Sequence, residues 1–420
     1  MRRISAILMI FSIFLTSACS GPLGQLKPNP VRKRTVVLFL IDGLSVPALQ
    51  NALATDSMSA FRNHFFQQGN RFNIARAAFP TLTLPNVSSI LTGRPIGEQP
   101  ILGNKMLIQS RVVNFEDPRF RPALARYVDS DTVFETLNRQ GKTSASFSFT
   151  LGQNATTHTS AGITEAIEYK LHDYDEIDDR LIRSTQNYLE SHDPSEWPEF
   201  IYIHLIGVDG YMHHLGPNDR RTVQYLQSLS TRLAPVFKKL QEAESHEHDV
   251  VTFLTSDHGS VDTPQFADVE EEVRRIHSSA TVLNQGRILS VYSEKSDSPE
   301  KLQNLLARVR HTRGVDMTVY RDRGGAIRID SAHSLASIRQ NHPFVMENLT
   351  AYFNADQHPD AIVLAQDGFT FSNKHRGDHG GLSASEVYVP LLMRNASLSG
   401  NEIPRTSDLL RFLQSRHNRL

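Results

Sequence analysis

Four short segments place aspartate or histidine where an apolar run ends or where glycine bends the backbone. They are Asp42-Gly43, Asp209 with His213, Asp257-His258-Gly259, and His379 within Gly377-Asp378-His379-Gly380-Gly381. Each alone has an ordinary explanation. Asp42 could cap the next helix, Asp257-His258 could sit in a turn, Asp209 and His213 could be solvated in a loop ending at Gly216-Pro217, and His379 could be a loop histidine. Together they offer three carboxylates and three imidazoles, a donor set suited to zinc at four-coordinate sites. One zinc would need three of these and a nucleophile's oxygen, whereas two zincs use all six. Two cations about 4 Å apart can clamp the attacking and leaving oxygens of a phosphoryl displacement.

A hydroxyl suited to that displacement lies in Phe79-Pro80-Thr81-Leu82-Thr83-Leu84-Pro85-Asn86, just before an apparent helix from Val87 to Leu91. The positive end of a helix favours negative charge on a nearby oxygen. From spacing alone, a plain threonine N-cap is the better explanation of Thr83. A threonine hydroxyl attacks poorly unless ionised, and coordination to a dication supplies that ionisation.

The elements that must carry these groups are legible as apolar, β-rich runs. Val36–Ile41 ends at Asp42, Phe200–Ile206 ends near Asp209, and Val250–Leu254 ends near Asp257. Runs apolar on both faces mark buried strands of a parallel sheet. Between them, Leu226, Leu229, Leu233, Phe237 and Leu240 recur at helical spacing, with Pro235 expected as a kink. The alternation predicts an α/β fold with a mostly parallel central sheet and helices on both faces. Ligands of such sheets bind beyond the carboxyl ends of the strands, where these Asp and His residues fall. Residues 264–373 are less regular, with a charged segment Val269–Ile276, a strand-like Arg287–Tyr292, a helix-like Pro299–Arg310 and a turn at Arg321–Gly325. They read as an insertion that caps the site.

Arg2 and Arg3 precede an apolar run from Ile4 to Leu15, then Thr16, Ser17, Ala18 and Cys19, the one cysteine of the chain. This is the pattern of an export signal over residues 1–18. A cysteine directly after the cleavage site resembles the lipobox of bacterial lipoproteins, although Thr16 stands where an aliphatic residue is favoured. The reading is therefore a lipidated Cys19, a tether from Ser20 to Arg34 and a catalytic domain over 35–420, anchored at a membrane of the bacterial cell envelope. An ordinary secretory signal is the alternative. No later segment approaches the roughly 20 consecutive apolar residues of a membrane span. A formal charge of −1 over 420 residues gives no electrostatic footprint for nucleic acid, and none is expected as partner.

Ile41-Asp42-Gly43, Thr83-Leu84-Pro85-Asn86, Gly207-Val208-Asp209 with His213 and Gly216-Pro217, Ser256-Asp257-His258-Gly259, and Asp378-His379-Gly380-Gly381 resemble the alkaline phosphatase superfamily. Within it they look most like the type I phosphodiesterase/nucleotide pyrophosphatase branch, matching in order and approximate spacing from Asp42 to about Met393. The resemblance implies an alkaline-phosphatase-like fold and a two-zinc hydrolase of small phosphate esters, most like a phosphodiesterase or pyrophosphatase, acting through a phosphothreonine at Thr83. It implies that Asp209, His213 and His379 hold one zinc, and that Asp42, Asp257, His258 and the Thr83 oxygen hold the other. Asn104, in Gly103-Asn104-Lys105-Met106, stands where the family hydrogen-bonds a phosphoryl oxygen. His204, His214 and His375 match no ligand position and are expected in supporting or surface roles.

The sequence departs from the family at two places. Leu84 stands where the family usually has a phenylalanine that stacks on a nucleobase, and Glu98-Gln99 stands where it tends to have Ser-His. A sulfatase would need Cys or Ser at Thr83 and Arg at Val87. A phosphoethanolamine-type transferase, a phosphomonoesterase or a cofactor-independent mutase of the superfamily remain alternatives. A zinc-binding surface lipoprotein without catalysis is the alternative of another class.

Overall fold

Val36–Ile41, expected as a buried strand, lies within the strand Arg34–Ile41 at the middle of a seven-stranded sheet. In this computed structural model the described residues are 33–410, apart from 68–70, 118–122, 149, 161–167, 170, 247, 295 and 399–401. The expected signal peptide, Cys19 and most of the tether lie outside them. Across the sheet the order is Asn73–Arg76, Tyr388–Arg394, Asp249–Thr255, Arg34–Ile41, Phe200–Leu205, Ser144–Ser148 and Thr157–Ser160. The last five run parallel. Tyr388–Arg394 is antiparallel to both its neighbours.

Strand side chains alternate faces, and Arg34–Ile41 is apolar on both because both are covered. Val37, Phe39 and Ile41 join Leu181, Leu226, Leu229, Leu233 and Phe237 from helices Tyr174–Ser191 and Arg220–Ser245. Val36, Leu38 and Leu40 face the core that includes Val87, Ile90 and Leu91 of helix Thr83–Thr92. The α/β architecture read from the sequence is the one found. Arg220–Ser245 is one helix with Pro235 inside it, capped by Asp219, which accepts from Arg221 N at 2.8 Å. Among the described residues no helix is long and apolar enough to cross a membrane.

A second sheet, wholly antiparallel, occupies the less regular stretch. Its order is Thr281–Asn284, Ile288–Tyr292, Ala361–Ala365, Val315–Arg321 and Ile327–Ser331. Its central strand serves two cores: Ile362 and Leu364 join the main one, while Ala361, Val363 and Ala365 face Val269, Val273, Leu305 and Leu306 of helices Val269–Ile276 and Pro299–Val309. The Arg321–Gly325 turn connects two of its strands.

Candidate metal centre and nucleophile

Three adjacent parallel strands end side by side and deliver three of the four segments. Asp42 follows Arg34–Ile41 and donates its backbone N–H to Leu205 O at 2.9 Å. Asp257 and His258 follow Asp249–Thr255 and are fully buried. Asp209 and His213 follow Phe200–Leu205, on helix Gly207–Leu215 and not in the loop expected for them. Their four-residue spacing therefore places both on one helical face. The fourth segment is pinned beside them, where Gly377–Asp378 pairs antiparallel with Val261–Asp262. Gly43, at φ +69°, permits the convergence, since a Cβ there would lie 2.9 Å from Asp209 Oδ1.

All three imidazoles are oriented the same way. Nδ1 of His213, His258 and His379 each meets a backbone carbonyl, of Gly377 at 3.0 Å, Gly259 at 3.0 Å and Thr81 at 2.8 Å. A carbonyl only accepts, so each Nδ1 donates and each Nε2 presents its lone pair to the site. Nε2 of His213 lies 3.1 Å from Nε2 of His379, and the two lie 3.4 and 3.6 Å from Asp209 Oδ1. Nε2 of His258 lies 3.4 Å from both Asp42 Oδ1 and Asp257 Oδ2.

Thr83 is not an N-cap: Leu82 holds that position and Thr83 is the first residue of helix Thr83–Thr92. Its Oγ1 points inward, 3.2 Å from His258 Nε2 and 3.5 Å from Asp42 Oδ1. Asn104 is brought to the same helix end, where its Oδ1 accepts from Leu84 N at 3.0 Å and its Nδ2 donates to Glu116 Oε1 at 3.1 Å.

These residues fit divalent cations. Asp209 Oδ1 and Asp257 Oδ2 are buried without a hydrogen-bond partner, and they are the oxygens that face the Nε2 atoms of His213, His379 and His258. Uncompensated buried acceptors are costly. Burial, then the charges of Asp257 and Asp209, drives the Asp42 carboxyl well above its ordinary value. Burial and Asp257 do the same to Asp209. Burial lowers His258 to about 3, and burial with His258 and His213 lowers His379. Like charges and neutral imidazoles held out of water are what a dication relieves. Four overlapping groups among the described residues have the spacing to hold a metal: Asp209, His213 and His379; His213, His375 and Asp378; Asp42, His204 and Asp257; and Asp42, Asp209 and His258.

A family profile described as type I phosphodiesterase/nucleotide pyrophosphatase matches residues 36–387. The chain belongs to this family. The alkaline-phosphatase-like fold agrees: phosphonoacetate hydrolase from Sinorhizobium meliloti superposes with a TM-score of 0.64 at 16% identity, covering 92% of this chain and 97% of that one. Human ectonucleotide pyrophosphatase/phosphodiesterase 5 superposes with a TM-score of 0.65 at 16% identity, covering 91% and 95%. By sequence the chain is 21% identical over 266 residues to human GPI ethanolamine phosphate transferase 1, spanning 60% of this chain and 27% of that protein. This type I phosphodiesterase/nucleotide pyrophosphatase family member therefore covers about a quarter of that relative's length.

In this family member four of the donors, Asp42, Asp209, His213 and His379, open onto a cleft of about 620 Å³. Thr83, Leu84 and Asn104 line it with them, as do Lys105, Glu116, Phe266 and Lys374. Several contacts around the donors are not legible from the sequence. His204 Nε2 lies 3.1 Å from Asp42 Oδ2. Tyr169 donates to Asp209 Oδ2 at 3.4 Å. His375 meets Asp378 Oδ2 at 3.0 Å and packs on the His213 ring, with centroids 4.1 Å apart. His214 packs on His172 instead, with centroids 4.3 Å apart. The one signal for His204 is a histidine inside an otherwise apolar strand.

Proposed function

We propose that this chain is a two-zinc phosphodiesterase that works through a phosphothreonine at Thr83. The observation that carries it is the position of Thr83 Oγ1 at a helix N-terminus, 3.2 Å from His258 Nε2 and facing Asp42, in a residue that lines an open cleft. The donor chemistry supports zinc: His213, His379 and Asp209 would hold one ion, and Asp42, Asp257, His258 and Thr83 Oγ1 the other. Two cations bound there would ionise the Thr83 hydroxyl and neutralise charge on the phosphoryl group and on the departing oxygen.

The chain's own residues do the rest. Thr83 Oγ1 attacks phosphorus in line, forming an Oγ1–P bond as the P–O bond to the leaving alcohol breaks. Water then cleaves the Oγ1–P bond and restores the hydroxyl. Asn104, its amide held by Leu84 N and Glu116, presents its Nδ2 face to a phosphoryl oxygen as charge develops there. Leu84 offers no ring for a nucleobase, so the proposal goes no further than the phosphodiester class.

A phosphoethanolamine-type transferase is favoured by one observation, the match to human GPI ethanolamine phosphate transferase 1. It shares every step except the acceptor, an alcohol in place of water. The deciding experiment assays bis-p-nitrophenyl phosphate, a phosphomonoester and a sulfate ester with zinc quantified per chain. Two zincs with diester preference, both zincs retained and turnover lost in Thr83→Ala, is the expected result. Full turnover in Thr83→Ala would sink the proposal, and product appearing only when an alcohol acceptor is added would select the transferase.

A further inference from the structure

Helix Gly207–Leu215 carries Asp209 and His213, yet its own sequence supplies no cap, since Ile206 sits at the N-cap position and makes no side-chain capping bond. The first N–H groups of a helix have no intrahelical acceptor. The acceptor comes from another helix. Asp178, on Tyr174–Ser191, is fully buried and sets Oδ1 2.9 Å from Ile206 N and Oδ2 3.1 Å from Gly207 N. Tyr225, on Arg220–Ser245, donates to the same Oδ2 at 2.6 Å, and Arg232 lies 4.7 Å over its ring. Burial pushes the Asp178 carboxyl up to about 6, and the hydrogen bonds from Tyr225, Ile206 N and Gly207 N oppose that rise.

Glycine admits this carboxylate. A Cβ at Gly207 would lie 2.0 Å from Tyr225 Oη and 2.8 Å from Asp178 Oδ2. The grip repeats within the same helix, where Tyr211 donates to Asp175 Oδ2 at 2.6 Å and the Tyr174 ring fills the space of a Gly210 Cβ, at 2.4 Å. Nine residues with two glycines fall well short of the roughly 12–15 residues an isolated helix needs. The orientation of this helix is therefore set from outside it.

We propose that Asp178 is a positioning residue for the cation site of Asp209, His213 and His379. Its carboxylate, locked by Tyr225, fixes the rotation and depth of helix Gly207–Leu215 so that Asp209 Oδ1 and His213 Nε2 meet His379 Nε2. The assignment rests on the two-cation reading above. Asp178 touches neither substrate nor cation, and acts through the backbone of the helix that bears two ligands.

The test titrates the metal-free chain with cobalt(II) alone and follows the visible absorption of each equivalent. Wild type is expected to take up two. Asp178→Asn is expected to weaken one by about tenfold or more, the scale typical of groups that hold a metal ligand in place, and to affect the other less. Tyr225→Phe keeps the carboxylate and removes one hydrogen bond, so it weakens the same equivalent by a smaller factor. That variant decides the question should Asp178→Asn fail to fold. Unchanged affinities, or equal losses at both equivalents, overturn the assignment. A wild-type chain that takes up no cobalt overturns the two-cation reading and this one with it, an outcome visible before any variant is made.

Discussion

His204 and Asp42 divide one carboxylate between two tasks. His204 stands opposite Leu40 in the strand register, and its Nε2 lies 3.1 Å from Asp42 Oδ2. The other oxygen, Oδ1, is left facing Thr83 Oγ1 at 3.5 Å and His258 Nε2 at 3.4 Å. His204→Ala frees the carboxylate to rotate and is expected to lower zinc affinity at the Asp42 site by about 10–100-fold. His204→Gln, which can still donate, recovers part of it. Competition against a coloured chelator measures both, and wild-type affinity in His204→Ala would count against the role.

Asn104 separates donor from acceptor. Asn104→Asp keeps an oxygen for Leu84 N–H but removes the Nδ2 donor. Loss of one preorganised donor to a charged oxygen costs about 10²–10³ in kcat, and because the new carboxylate also faces Glu116 and the phosphoryl group, that is the least fall expected on a diester substrate, with zinc content unchanged. A rise only in KM would mean the donor binds ground state and transition state alike.

Thr83→Ser retains the oxygen and is expected to keep measurable turnover where Thr83→Ala does not. A phosphorylated residue trapped by acid quench at position 83 during turnover is the direct check. Its absence in single-turnover mixtures would argue for direct attack by water.

The strands that carry the site are legible because burial on both faces writes itself as continuous apolar sequence. Val36–Ile41, Phe200–Ile206 and Val250–Leu254 each lie within a residue or two of the observed limits. The helix bearing Asp209 and His213 is not legible: Gly207, Gly210 and Gly216-Pro217 lower local helix propensity, and the compensating Asp178 and Tyr225 are not its neighbours in sequence. His204 matches no ligand position, and nothing local says that its ring reaches across to Asp42. In the second sheet only Arg287–Tyr292, found as the strand Ile288–Tyr292, is expected as a strand from the sequence. Ala361–Ala365 is itself a continuous apolar run and is missed, whereas Val315–Arg321 and Ile327–Ser331 carry charged residues that blur their pattern.

Acid sensitivity has a source remote from the site. His64 is buried, stacked on Phe237 with centroids 4.4 Å apart, and burial with the charge of Arg394 lowers it from 6.5 to about 3. The folded chain leaves it neutral where the unfolded chain protonates it. Its contribution is therefore full above pH 6.5 and is lost as pH falls toward 3, by about 1.4 kcal/mol for each unit. In His64→Phe, the fall in stability between pH 7 and pH 5 should shrink by about 2 kcal/mol, read from urea midpoints at both values. An unchanged fall would place the sensitivity elsewhere.

Chelation should expose the cost of the empty donor set. Asp42 and Asp209 are raised by burial and then by the charge of Asp257, so cations that bind the folded chain alone stabilise it, by about 4 kcal/mol at a thousandfold excess over Kd. The thermal midpoint should fall by several degrees in chelator and return when zinc is restored. A midpoint indifferent to chelator would contradict the donor assignment.

Ala361–Ala365 belongs to two cores at once, with Ile362 and Leu364 buried in one and Val363 in the other. Swinging the five-stranded sheet away from the main one would strip those side chains from their packing. The side of the cleft that this sheet supplies, at Asn284, is thus held like the fixed jaw of a caliper. On the function proposed above, esters would be gauged by whether their leaving group fits between that jaw and Thr83, and a change of diet would come from trimming or lengthening single side chains along it.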